Sequence, residues 1–435
     1  MPRALARRVP RRLARFLLAG ALLLGALGLT TPAAAQDLLI PMDQSQNDHL
    51  KAYGLTYWIL ENGQTVDWLL NYRGGSFLTA HTPEIEQELR VRGVSFEVVS
   101  GSQTASILAE VKADDSNTSS VQLEKPPQIA VYAPDQTLPW DDAVLLALEY
   151  AEVPYEMVYD ETVLQGELTQ YDWLHLHHED FTGQFGKFWG RYRNSPWYVE
   201  QVRRQRDLAD RLGYEKVSGL KAEVAVRIRE YVRQGGFLFA MCSGTNTLDI
   251  ALAARETDIV PQPLDGDGVD PNALQELDYS ETLAFEDFTP SFNPSEYRHA
   301  DIDVTPPEQI QGPSTDYFTL FEFSAKWDPV PSMLTQNHVA TIKGFMGQTT
   351  SFRKELVKPN VVILAEAPKR GAVRYLHGNF GQGTFTFYAG HDPEDYRHYV
   401  GDPHTDLSLH KNSPGYRLIL NNILFPAAKK KKQKT

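Results

Sequence analysis

The chain has 435 residues, 42% hydrophobic and 11% aromatic, an ordinary globular composition long enough for two or three domains. Its single cysteine excludes an internal disulfide framework and a thiolate cage for zinc. The formal charge of −14 argues against a nucleic-acid partner, which needs a basic face to neutralise phosphate.

In chain order, the first feature is a leader. Arg3, Arg7, Arg8, Arg11, Arg12 and Arg15 precede an apolar run from Phe16 to Leu29, and Thr31-Pro32-Ala33-Ala34-Ala35-Gln36 follows. A basic stretch, an apolar stretch and a small-residue site read as a signal peptide over 1–35, cleaved after Ala35. Fourteen apolar residues fall short of the roughly 20 that a membrane-spanning helix needs. No cysteine lies near the cleavage site, so no lipid anchor is expected. The expected product is exported, periplasmic or extracellular, with no membrane span after cleavage. The leader's six arginines and the five lysines of the basic tail, 427–435, leave a body near −25.

Residues 36–111 read as a small N-terminal α/β domain. Asp48 to Leu60 is helix-like, with Leu50, Tyr53, Tyr57 and Leu60 on one face. Val66 to Leu78 is strand-like, broken at Gly74-Gly75. Pro83 to Arg92 is a helix opened by Thr82 as N-cap. Phe96 to Val99 is a strand and Thr104 to Val111 a helix. Residues 112–127, polar and small and ending in Pro126-Pro127, read as a linker.

Residues 128–426 alternate strands and helices. That pattern predicts a parallel sheet with helices on both faces. The strands are Ile129–Tyr132, Tyr155–Tyr159, Trp173–His177 and Phe237–Met241. The helices are Asp141–Ala151, 217–234 and Thr247–Ala254. An insertion of loops and short elements is expected at about 256–330. Then come a strand Val361–Leu364, a hairpin pairing Ala372–Leu376 with Thr384–Tyr388, and a closing helix Tyr416–Leu424.

Three stretches carry candidate chemistry. Phe237–Met241 runs through Cys242-Ser243-Gly244 straight into a helix, the architecture of a nucleophile elbow. A helix N-terminus beside the thiol favours thiolate; the plain alternative is a buried structural cysteine. His175-Leu176-His177-His178-Glu179-Asp180, followed by Gly183 and Gly186, ends a second strand. Gly390-His391-Asp392-Pro393-Glu394 ends a third. Open parallel sheets bind ligands beyond the carboxyl ends of their strands, where all three belong. The histidines admit three readings. One is an acid–base partner for Cys242, with His391 oriented by Glu394. Another is a metal site of His175, His177, His178 and His391 with a carboxylate. The last is a hydrogen-bonded strand end.

The order of strand, glycine loop, strand, cysteine elbow and Gly-His strand end resembles the class I glutamine amidotransferase-like superfamily. Asp48–Phe77, His175–Phe188 and Met241–Ala254 more closely resemble exported bacterial proteins labelled asparagine synthetase B. The resemblance implies a flavodoxin-like parallel sheet preceded by a small α/β domain. It also implies a thiol-dependent amidase or hydrolase with no cofactor and no assigned metal ligand. Cys242 would attack an amide, His391 would shuttle the proton and Glu394 would orient it. Ser243 and Gly183 would hold the oxyanion, and Gly186, His177, His178 and Glu179 would line the substrate site. Here the elbow reads Ala240-Met241-Cys242-Ser243-Gly244, where active glutaminases have Gly-x-Cys-x-Gly. His391-Asp392-Pro393-Glu394 likewise has one residue more than their His-Pro-Glu. No Ser-Gly-Gly-x-Asp-Ser loop is present and the mature chain would begin at Gln36, so ATP-dependent asparagine synthesis is not expected. The expected partner is a small-molecule, peptide or carbohydrate substrate. One alternative on the same fold is a non-catalytic carbohydrate- or peptide-binding module. The other is a metal-dependent hydrolase, which requires three or more of these side chains to converge within about 4–5 Å.

Overall fold

The computed structural model describes residues 36–134, 142–304, 312–328, 339–367, 371–399 and 402–428. The expected signal peptide and the tail beyond 428 lie outside the described residues.

Five strands build the first sheet: β1 (Gln36–Ile40), β2 (Val66–Leu70), β3 (Ser76–Ala80), β4 (Glu97–Ser100) and β5 (Ser119–Leu123). Their order is β4-β1-β3-β2-β5, antiparallel throughout. The break expected at Gly74-Gly75 is a tight turn, with φ of 78° and 91° at the two glycines. Side chains alternate across the sheet. Leu38 and Ile40 face the helix His49–Glu61, while Leu39 faces the opposite side with Val111 of the helix Gly101–Lys112. The linker expected over 112–127 is corrected by β5, which lies inside it and pairs residue by residue with β2. Ser119-Ser120-Val121-Gln122-Leu123 is polar because it is an edge strand, with only Leu123 fully buried. That composition mimics a linker.

The second sheet has β6 (Ile129–Tyr132), β7 (Glu156–Val158), β8 (Trp173–Leu176) and β9 (Phe237–Met241). It continues with β10 (Tyr317–Leu320), β11 (Thr341–Lys343), β12 (Phe352–Arg353), β13 (Val362–Ala367), β14 (Ala372–Phe380) and β15 (Gly383–Tyr388). The order is β11-β10-β13-β14-β15-β9-β8-β6-β7, with β12 beside β14. From β15 to β7 every pairing is parallel, and from β11 to β15 every pairing is antiparallel. The sheet is therefore mixed, a correction to the all-parallel expectation. The change of direction is set at the β14–β15 hairpin, whose turn at Gly381-Gln382 has Gly381 at φ 61°.

Helices cover both faces of this sheet. Val131, Trp173 and Phe239 point toward the helices Ala143–Ala151 and Pro414–Leu424. Ala130, Leu174 and Leu238 point toward the helices Val217–Arg233 and Ser243–Ala253. Part of the region read as an insertion of loops is pinned to the last of these. The carboxylate of Asp249 accepts the backbone N–H groups of Leu283, Ala284 and Phe285 at 2.7, 2.7 and 2.9 Å.

The two sheets share one core rather than standing apart on a tether. The helix 49–61 packs against the helices 143–151 and 414–424. Tyr53 donates to Asn421 Oδ1 at 2.6 Å, and Tyr57 donates to the Pro127 carbonyl at 2.9 Å. The fully buried Arg417 donates to the carbonyls of Met42 and Gly74 at 3.2 and 2.9 Å. At the closest approach, a Cβ on Gly54 would lie 1.6 Å from the Ala151 carbonyl oxygen. Ala normally stabilises a helix interior by about 0.5–1 kcal/mol over Gly. Here the sign should reverse, because overpacking costs typically about 1–3 kcal/mol or more. Gly54→Ala is expected to lower the unfolding free energy in a denaturant titration; a gain would contradict this docking.

Candidate metal centre

The site grows from the end of β9. Cys242 adopts φ 46° and ψ −136°, a conformation unfavourable for a residue with a Cβ. Two backbone bonds hold it there. The Cys242 N–H donates to the Gly390 carbonyl at 3.1 Å, and the Gly244 N–H donates to the His177 carbonyl at 2.6 Å. Because β8 and β15 flank β9, the elbow ties the ends of its two neighbours together. A Cβ at position 244 would fall 2.6 Å from that same His177 oxygen, so only glycine fits.

Those two strand ends carry the histidines. His177 Nδ1 lies 3.0 Å from Asp142 Oδ1, and His175 Nε2 lies 3.4 Å from Asp142 Oδ2. Asp142 also caps the helix 143–151, accepting from the N–H groups of Val144 and Leu145 at 2.7 and 3.1 Å. Burial alone would raise the Asp142 carboxyl. The two imidazoles more than offset this and hold it well below its ordinary value. Asp142 is therefore a carboxylate that fixes the His177 ring.

Beyond that anchor, one ring nitrogen each from His177, His178 and His391 lie within 4.8 Å of one another. The His391 ring sits 4.4 Å from His177 and lies parallel to His398 at 4.6 Å, centroid to centroid. Nε2 of His177 and both ring nitrogens of His391 are buried without a hydrogen-bond partner among the described residues. Burial, followed by repulsion from the neighbouring imidazoles, pushes His391 well below its ordinary value and His178 to about 3. Neutral imidazoles have the protonation state that metal binding requires, since a metal binds the unprotonated ring.

The expected thiol site assembles only in part. Cys242 stands at the elbow as expected, but it is buried and its Sγ accepts the Gln348 N–H at 3.3 Å. Burial pushes the thiol up to about 11, against opposing N–H donors from Gln348, Thr349 and Ser243. His391 makes no hydrogen bond to it. Glu394 does not orient His391; its Oε2 pairs with His410 Nδ1 at 3.1 Å. A turn turns it away: the Glu394 N–H donates to Asp392 Oδ1 at 2.8 Å. Gly183 packs on the start of the helix 217–233. A Cβ there would fall 2.6 Å from the Ser218 nitrogen. The Gly186 N–H is already given to Asp180 Oδ2 at 2.8 Å, while its carbonyl accepts from Gln348 Nε2 at 2.6 Å. The Ser243 hydroxyl is buried and without a partner among the described residues. Burial raises Glu179 to about 7, opposed by Lys221. Asp142 was absent from the candidate residues, although an Asp just before an apolar helical run is an N-cap signature. Three of the four histidines of the metal reading thus converge in one cluster, while His175 stands with Asp142 and His177.

No family model and no curated protein matches the chain. Among solved structures it is similar to two cytoplasmic proteins of Salmonella typhimurium. The first is 13% identical, covers 73% of this chain and 93% of its own, and has a TM-score of 0.32. The second is 12% identical, covers 69% and 100%, and has a TM-score of 0.34. A GH42 beta-galactosidase is 9% identical over 61% of this chain and 28% of its own, with a TM-score of 0.27. These likenesses carry no argument about activity.

The burial of Cys242 sets an expectation for its reactivity. A water-soluble disulfide reagent at mildly alkaline pH should label the native protein slowly and the unfolded protein at once. Rapid stoichiometric labelling of the native protein would mark an activated thiol instead.

Proposed function

We propose that the mature chain is an exported metal-dependent hydrolase whose centre is held by His177, His178 and His391. The observation that carries this is the convergence of three ring nitrogens within 4.8 Å, two of the rings offering buried nitrogens with no hydrogen-bond partner among the described residues. Asp142 acts as a positioning residue. It accepts the Nδ1–H of His177 and so leaves the Nε2 lone pair directed at the cluster, the arrangement that tunes many histidine–metal sites. His175 braces the second Asp142 oxygen. His177, His178 and His391 would hold a first-row divalent ion, which would supply Lewis-acid chemistry and make a bound water more acidic.

The placement of the cluster supports a catalytic reading. In chain order the parallel strands lie 2-1-3-4-5, an order that supports a flavodoxin-like reading. Asp142 follows β6 and His177 follows β8, so the pair straddles the point where the order reverses, where such sheets bind ligands. The same order favours the resemblance to the class I amidotransferase-like superfamily. The substrate would be a small molecule, peptide or carbohydrate with a hydrolysable bond, and the leader peptide supports export. The conformation of Cys242 favours a second reading, a thiol-dependent amidase, which requires His391 to swing from the cluster to the sulfur.

Metal content of the purified exported protein, measured by elemental mass spectrometry, tests the first reading. About one equivalent of a first-row divalent ion is expected, lost in His391→Ala and retained in Cys242→Ala. Asp142→Asn should weaken metal affinity by about 10–100-fold. Wild-type protein that takes up no such ion, even when supplied with it, would overturn the proposal.

A further inference from the structure

The chain that leaves β15 through His391 folds straight back over it. Met346 pins this turn from both sides. Its carbonyl accepts the His391 N–H at 2.9 Å, and its own N–H donates to the Tyr396 carbonyl at 3.0 Å. The His398 ring then lies 4.6 Å from the His391 ring, centroid to centroid, with 7° between their planes. The His398 side chain is only 6% exposed, and its Nδ1 lies 3.2 Å from Asp395 Oδ2.

One ligand atom each from Asp395, His398 and Asp402 lie within 4.8 Å of one another. Backbone N–H groups position both carboxylates. Arg397 donates to Asp395 Oδ1 at 3.3 Å, and Tyr399 donates to Asp402 Oδ2 at 2.9 Å. Neighbouring carboxylates repel unless positive charge lies between them. A second acidic cluster supplies the contrast. Asp258, Asp265 and Asp267 converge as closely, but they enclose the Lys216 ammonium at 2.5, 3.3 and 2.6 Å. Among the described residues no Lys or Arg pairs with Asp395 or Asp402, and the imidazole of His398 is what Asp395 faces. Asp402 is exposed, so water can complete a coordination shell that three protein ligands leave open.

We infer that Asp395, His398 and Asp402 form a second divalent-cation site beside the imidazole cluster. Two carboxylates with one imidazole suit Mn²⁺, whereas three imidazoles suit Zn²⁺. Charge favours the juxtaposition, because the imidazole cluster brings no negative charge of its own and the two carboxylates stand next to it. The ligands of this site are its own, so it stands without the first; only its part in a two-ion hydrolytic centre rests on the function proposed above.

Titration of the full mature protein with Mn²⁺, followed by the electron paramagnetic resonance signal of the free ion, tests this. The His177→Ala protein is the reference, because it breaks the imidazole cluster and keeps the His391 ring against His398. It should bind one Mn²⁺ saturably. Adding Asp395→Asn and Asp402→Asn together should weaken that binding at least about tenfold. Neither aspartate is buried, so this variant should melt as its parent does. His398→Gln should remove the imidazole-nitrogen coupling from the spectrum of the bound ion. No saturation by about 1 mM Mn²⁺, unchanged affinity in the Asn variant, or nitrogen coupling retained in His398→Gln would each overturn the inference. Saturable Mn²⁺ binding of this kind in a protein that takes up no ion at the imidazole cluster would uphold it and sink the function proposed above.

Discussion

Two backbone hydrogen bonds at the end of β9 decide where the chemistry sits. One runs from Cys242 to the Gly390 carbonyl, the other from Gly244 to the His177 carbonyl. Between them they fix the turns that carry His391 and His177, which belong to strands that never pair directly. The strained Cys242 backbone, of a kind that costs about 1–3 kcal/mol, follows from reaching both neighbours at once. In this account the elbow is a clasp first, and its thiol is sheltered inside that clasp.

The electrostatics build outward from the clasp. Asp142 keeps its charge although buried, because His177 and His175 stand against its two oxygens. Beyond that anchor, burial and the neighbouring imidazoles push His391 and His178 below their ordinary values. A charged anchor beneath a neutral imidazole cluster suits a cation that arrives from solvent and is then shielded from it. Arg417 and Tyr53 join the N-terminal sheet and its helix to the helix that closes the second sheet.

Much of this was legible in the chain. β6, β8 and β9 are short apolar runs bounded by turns, and each lies where its composition puts it. The strand-to-helix turn at Cys242 was equally plain. What escaped was long-range. β5 has the polar composition of a linker because one of its sides is an open edge. β10 and β11 are only four and three residues long, too brief for a period to emerge. Glu394 stands three residues from His391, and proximity suggested a pair, yet the turn at Asp392 sends its carboxylate to His410. Asp142 and His177, 35 residues apart, meet only because β6 and β8 are neighbours in the sheet.

The central claim is that three imidazoles, and not the thiol, hold a metal. X-ray absorption at the metal edge of the zinc-loaded protein tests it most directly. The account predicts nitrogen or oxygen neighbours at about 2.0–2.1 Å with the outer-shell scattering of imidazole rings. A sulfur neighbour at about 2.3 Å would make Cys242 a ligand and contradict it.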